Sequence, residues 1–161
     1  MMEYNKKLFL KSLFFTCFVL TSAFSATAQL TEETVSKEKW TLYGQVKTIG
    51  VPKASLEYKA NSSDTSFILV LEDYRKELKS FFSIRFSSRG NTLENLYSLL
   101  MSFFEKENWN NKDYIKIFTL GDTKVTVYKA AGLVQLKTIQ LSCDKGRIRL
   151  TKNEINNLFN K

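Results

Sequence analysis

Histidine is absent from all 161 residues. That absence removes the Ser-His-Asp and Cys-His nucleophile pairs, the imidazole general base and the histidine-containing zinc sites. Cysteine occurs only at Cys17 and Cys143, too few for an all-thiolate zinc site. No glycine loop that would cradle phosphate and no calcium-loop pattern is present. The composition therefore predicts neither a cofactor nor a metal site. Proline occurs once, at Pro52, and glycine six times, so the sharp changes of chain direction fall to a few identifiable positions.

Long apolar runs are missing as well. The stretch from Leu13 to Leu20 is well short of the roughly 20 residues needed to span a bilayer. It follows Lys6, Lys7 and Lys11 and gives way to small residues ending in Ala26-Thr27-Ala28. This layout predicts a signal peptide over 1–28, cleaved after Ala28 to leave Gln29 first. Cys17 sits inside the apolar stretch behind Phe14-Phe15-Thr16, which is not the leucine-and-small-residue approach to a lipidated cysteine. The expectation is thus an exported protein, periplasmic or secreted, with no membrane span once the signal is removed. Lysine used in preference to arginine, and frequent asparagine, point to a bacterial source. Cys143 then stands alone, which rules out an intramolecular disulfide in an oxidising compartment and predicts a small buried hydrophobe at that position.

The chain has 24 basic and 16 acidic residues, a net charge of +8, spread along it without blocks. Such a balance suits contact with an anionic envelope component, and suits a plain solvated surface equally well. Nucleic acid is not an expected partner, because the basic strands lack the interleaved aromatics of a single-strand binder.

Residues 29–39 are charged and read as a flexible lead-in; 40–161 read as a single α+β domain. Trp40, Leu42 and Val46 alternate with Thr41, Tyr43, Gln45 and Lys47 as a half-buried strand. Gly50-Val51-Pro52 interrupts it, and Ala54, Leu56, Tyr58 and Ala60 form the next. After the turn Asn61-Ser62-Ser63-Asp64, the uninterrupted Phe67-Ile68-Leu69-Val70-Leu71 predicts a central strand buried on both faces. Glu72 to Lys79 is polar, and Phe82, Ile84 and Phe86 give a fourth strand. Asn91 or Thr92 is placed to cap an amphipathic helix running through Glu105, with Glu94 as the capping-box partner of Asn91.

A polar loop, Asn108 to Lys112, then precedes strands around Ile115 to Leu120, Val125 and Val127, Leu133 to Cys143 and Arg147 to Leu150. Gly121-Asp122, Ala130-Ala131-Gly132 and Asp144-Lys145-Gly146 supply the turns. A phase slip between Leu136 and Ile139 predicts a bulge. Thr151 and Glu154 form a capping box for a short terminal helix. Short connections predict a mainly antiparallel curved sheet of seven to eight strands, with the amphipathic helix packed on it; a small closed barrel is the alternative. The order of four strands and a helix, twice over, suggests a duplicated half, although no sequence repeat aligns.

Catalysis would fall to a carboxylate pair of glycosidase type. Glu72, Asp73 and Asp144 are the candidate acids of such a hydrolase, and neighbours on an extended chain point to opposite faces. Trp109, flanked by three asparagines and a lysine, is either a stacking platform or a plug on the core. Arg85, Lys116, Lys124, Arg147 and Arg149 occupy polar strand phases and could share one cationic face, or serve as guards against edge pairing. The function expected from these residues is a non-catalytic binding or accessory domain, its partner an anionic envelope component or another exported protein. A small glycan hydrolase and an inhibitor or accessory subunit of another exported protein are the alternatives.

Overall fold

A computed structural model of the chain describes residues 39–60, 64–130 and 136–161. The predicted signal peptide, nearly all of the lead-in and the turns expected at Asn61-Ser62-Ser63 and Ala131-Gly132 lie outside the described residues. Four strands open the fold: β1 (Thr41–Thr48), β2 (Val51–Ala60), β3 (Thr65–Glu72) and β4 (Phe81–Ser87), paired antiparallel in sequence order. Helices α1 (Thr92–Ser102) and α2 (Lys106–Asn110) follow. A second antiparallel run, β5 (Ile115–Leu120), β6 (Thr123–Ala130), β7 (Thr138–Ser142) and β8 (Arg147–Thr151), leads into α3 (Lys152–Leu158). The α+β class with antiparallel strands holds, but the strands form two four-stranded sheets and not one curved sheet. Alternation specifies each hairpin; it carries no information on whether β4 and β5 should pair, and here two helices separate them.

Turn chemistry accounts for several departures from expectation. The β1–β2 turn is Ile49-Gly50, both with positive φ (51° and 77°), closed by the pair Thr48 and Val51. Val51 and Pro52 therefore belong to β2. Pro52 is accommodated beside the register shift at Val46/Lys47, where a missing N–H does least harm. A second shift between Leu42 and Gly44 makes Tyr43 an extra residue and reverses the phase of β1. Leu42 is consequently 53% exposed while Val46 is buried, so the two do not share a face. Strand β3 is internal to its sheet, but only Phe67, Leu69 and Leu71 are buried. Ile68 and Val70 are half-buried on the outward face, beside Glu57 and Arg85 in one row and Ser55 and Ser83 in the next.

The helical region is also shorter and more broken than its apolar spacing implies. Asn91 is the N-cap of α1 in the left-handed region (φ 58°) and makes no side-chain cap bond, so its box with Glu94 does not form. Thr92 Oγ1 donates instead to the Arg89 carbonyl. Helix α1 stops at Ser102, whose hydroxyl donates back to the Leu99 carbonyl at 2.7 Å, a local bond that competes with helix continuation. The expected loop around Trp109 is the short helix α2. Lys129 Nζ donates to the carbonyls of Asn108 at 3.2 Å, Trp109 at 3.0 Å and Asn111, satisfying the groups that a helix end leaves open. The capping box of α3 is present: Glu154 N donates to Thr151 Oγ1 at 3.2 Å and Thr151 N to Glu154 Oε2 at 2.7 Å.

One apolar core joins these parts. Inward residues of both sheets meet Leu96, Leu100 and Phe103 from the α1 region and Ile155, Leu158 and Phe159 from α3. Strand β7 pairs in continuous register with both neighbours, and Leu136 lies outside it, exposed; the expected bulge is absent. Ile139, Gln140 and Leu141 are all buried, and that polar residue in an apolar run is what mimicked a phase slip. No helix among the described residues is long and apolar enough to cross a membrane.

Candidate binding face of the second sheet

Register builds the outward face of the second sheet in two rows. One is Ile115, Tyr128, Gln140 and Arg149; the next is Ile117, Thr126, Ser142 and Arg147, with Lys124 two residues along β6 from Thr126. A side chain on such a face is ordinarily wet, yet Gln140 is only 3% exposed. Tyr74, from the β3–β4 connection of the other sheet, covers it. The Tyr74 hydroxyl donates to Gln140 Oε1 at 2.7 Å, Arg149 Nε reaches the same oxygen at 3.4 Å, and Gln140 Nε2 donates to the Tyr128 hydroxyl. The Arg149 guanidinium lies 4.9 Å from the Tyr74 ring centroid, a cation–π contact.

The backbone beneath Tyr74 is fixed in the same place. Tyr74 N donates to the Arg147 carbonyl at 3.1 Å, and Arg147 N returns a bond to Asp73 Oδ1 at 3.2 Å. Asp73 is buried, with both oxygens engaged by the Arg75 guanidinium at 2.8 to 3.2 Å. Those hydrogen bonds hold the Asp73 carboxyl well below the usual carboxylate range, against the opposing effect of burial. Asp73 is therefore a structural anion that clasps one sheet to the other, unsuited to donate a proton near neutral pH. Its stabilising effect is complete above about pH 4, the carboxylate range of the unfolded chain, and is lost as pH falls from there toward the depressed folded value. Asp73→Asn is expected to lower the melting temperature at pH 7, with the gap to wild type closing as the pH is lowered through the acid range. A gap that stays constant down to acid unfolding would refute this assignment.

Beside the clasp lies an open depression of about 530 Å³. Its lining includes Thr126, Ser142 and Cys143, with Lys124, Asp144 and Lys145 among its charged groups. Lys145 Nζ donates to Thr123 Oγ1 at 3.0 Å, and that hydroxyl donates to Asp122 Oδ1 at 2.9 Å. The Thr123 bond, reinforced by Lys145, lowers the Asp122 carboxyl from its ordinary value. Cys143 is a free thiol packed against the margin of the core, half-buried where a small buried hydrophobe was expected.

The six residues singled out from sequence separate here. Arg85 belongs to the first sheet and lies 5.8 Å from the Trp40 ring. Lys116 takes the opposite phase of β5 from Ile115 and Ile117 and covers Tyr114 at 4.9 Å. Trp109 is half-buried, stacked on Phe104 at 6.0 Å with Lys137 over it at 5.1 Å; it is a plug. Arg149 is held by Tyr74 and Gln140. All five basic residues are exposed, but only Lys124 and Arg147 have side-chain cations without a partner among the described residues. The shared cationic face that strand phase allowed thus reduces to part of the second sheet, because Arg85 belongs to the other sheet and Lys116 to the other face. Tyr74, Asp73 and Gln140 were not singled out as a group; the one signal for them was Gln140 interrupting Ile139 and Leu141.

Among the described residues no group of three or more Cys, Asp or Glu side chains could hold a metal ion. No protein-family model, curated protein or solved structure matches the chain.

Proposed function

We propose that this chain is a non-catalytic binding or accessory domain of the bacterial envelope, exported and held rigid by the clasp between its sheets. Its working surface is the outward face of the second sheet. The observation that supports this reading is the pair of unpartnered cations, Lys124 and Arg147, standing on a floor of hydroxyls from Thr126 and Ser142 beside an open depression. Unpartnered cations beside hydroxyl groups suit an anionic, hydroxyl-rich ligand such as an acidic glycan. The carboxylate-hydrolase reading has less support, since Asp73 is fully committed to Arg75.

The test is retention of the protein on an acidic polysaccharide. Wild type is expected to bind it in a salt-sensitive way and to pass over a neutral polysaccharide. Lys124→Ser combined with Arg147→Ser is expected to weaken binding by about tenfold or more, with the melting temperature unchanged because neither side chain is buried or paired. Equal retention of wild type and double variant would remove this face from the function.

A further inference from the structure

A different part of the molecule, the end of the first sheet that carries the β1–β2 turn and the β3–β4 connection, presents two isolated aliphatic tips. Strands β1 and β3 both run toward this end. Ile49 is 98% exposed at the first tip and Leu78 is 85% exposed at the second, the two most exposed large hydrophobic residues described. Val51 and Phe81 lie exposed at the feet of the same two connections.

Ile49 is unfavourable there on two separate counts. A primed two-residue turn favours asparagine or glycine at its first position, and a β-branched residue with φ of 51° is strained. Its side chain also gains nothing from the core. The second tip is built on a firm base, because Asp73 N donates to the Ser80 carbonyl at 2.9 Å and Arg147 N of the far sheet donates to Asp73 Oδ1 at 3.2 Å, leaving 76–79 to project. Lysines accompany both tips. Lys47 and Lys76 are exposed with ammonium groups unpartnered among the described residues, and Lys79 lies 5.6 Å from the Phe81 ring. Of the basic residues around the two connections, Lys53 pairs with Glu154, Arg75 with Asp73 and Lys79 with Glu72 at 3.8 Å, which leaves Lys47 and Lys76 against Glu77.

We propose that this end of the first sheet docks on an anionic lipid surface. Ile49 and Leu78 enter the boundary between headgroups and acyl chains, and Lys47 and Lys76 meet the lipid phosphates. Separate single-residue tips with neighbouring lysines match a deformable, negatively charged interface, which needs no complementary pocket. The attachment is peripheral and reversible, as two side chains and a few lysines cannot hold a protein permanently. This inference uses residues apart from the second-sheet face and does not rest on the function proposed for it.

Co-sedimentation with vesicles tests it, using wild type and variants that share the same N-terminus. Vesicles of phosphatidylglycerol and phosphatidylcholine in equal parts are compared with vesicles of phosphatidylcholine alone. Wild type is expected to partition onto the anionic vesicles and far less onto the neutral ones. Ile49→Asn with Leu78→Ser is expected to weaken that partitioning by about tenfold or more. The melting temperature of this variant should equal or exceed that of wild type, because asparagine relieves the strain at position 49. Lys47→Ser with Lys76→Ser is expected to weaken binding by about fivefold per lysine at low salt, a difference that vanishes at about 0.5 M salt. Equal binding to both vesicle types, or partitioning of the Ile49/Leu78 variant within about twofold of wild type, would overturn the proposal.

Discussion

Gly44→Ala is expected to lower the melting temperature by roughly 10 °C, a loss of about 3 kcal/mol. A Cβ at position 44 would stand 2.2 Å from the Leu158 carbonyl oxygen and 2.7 Å from that of Asn157. Both are backbone atoms at the end of α3, so no side-chain rotation relieves the clash. The helix cannot back away either, since Ile155, Leu158 and Phe159 are all buried beneath it. The ion pair between Lys53 and Glu154, at 2.6 Å, ties its first turn to β2. Relief must come from lifting the last turn of α3 off β1 and opening the core. Thermal unfolding followed by circular dichroism checks this, and a midpoint within about 2 °C of wild type would show that α3 yields easily.

Phe103→Ala should be the most damaging truncation outside the sheets, at about 3–5 kcal/mol. Its ring is fully buried and meets Tyr114 edge-on, centroids 4.8 Å apart and planes at 73°. Tyr114 is linked in turn to Ser102 through a 3.0 Å contact between hydroxyls. The cavity would open between the end of α1 and Tyr114 at the start of β5, in a closely packed interior. The neighbouring Phe104 is the control. It is half-buried and stacked on Trp109 near the surface, so Phe104→Ala is expected to cost about 1–2 kcal/mol. Urea unfolding should show both losses in the midpoint with little change in slope. Equal losses at the two positions would mean that Phe103 is not the keystone its burial implies.

These effects show how far local pattern reaches. The alternation in β2, β4, β6 and β8, the glycine-first turn at Gly121-Asp122 and the capping box of Thr151 and Glu154 all rest on residues close in sequence, and all form as their chemistry requires. The repeated order of four strands followed by helix is legible in the same way. Where pattern misled, a distant contact had intervened. Tyr43 slipped out of register under the rings of Tyr58 and Phe67, at 6.3 Å and 6.1 Å. Gln140 became buried on an outward phase because Tyr74, far away in sequence, closed over it. No hydropathy pattern encodes such a neighbour.

The binding face divides along the same line. That Arg85, Lys124, Arg147 and Arg149 point away from their strands' apolar phase was contained in the order of residues; Lys116 does not follow it, sharing the inward row of Val127 and Leu141 while Ile115 and Ile117 face outward. Which of them stay free was not, because that depends on the aromatic ring each meets: Trp40, Tyr114 and Tyr74 occupy three of the five. The amino-acid order by itself determined most of the strands and the terminal helix, the polarity of the faces of β2, β4, β6 and β8 and the absence of histidine chemistry, all of which are matters of one residue and its near neighbours. Only tertiary structure decided that the strands divide into two sheets, that the Asp73–Tyr74 clasp joins them and that Lys124 and Arg147 are left open, because strand pairing and side-chain burial depend on which distant segments share the core.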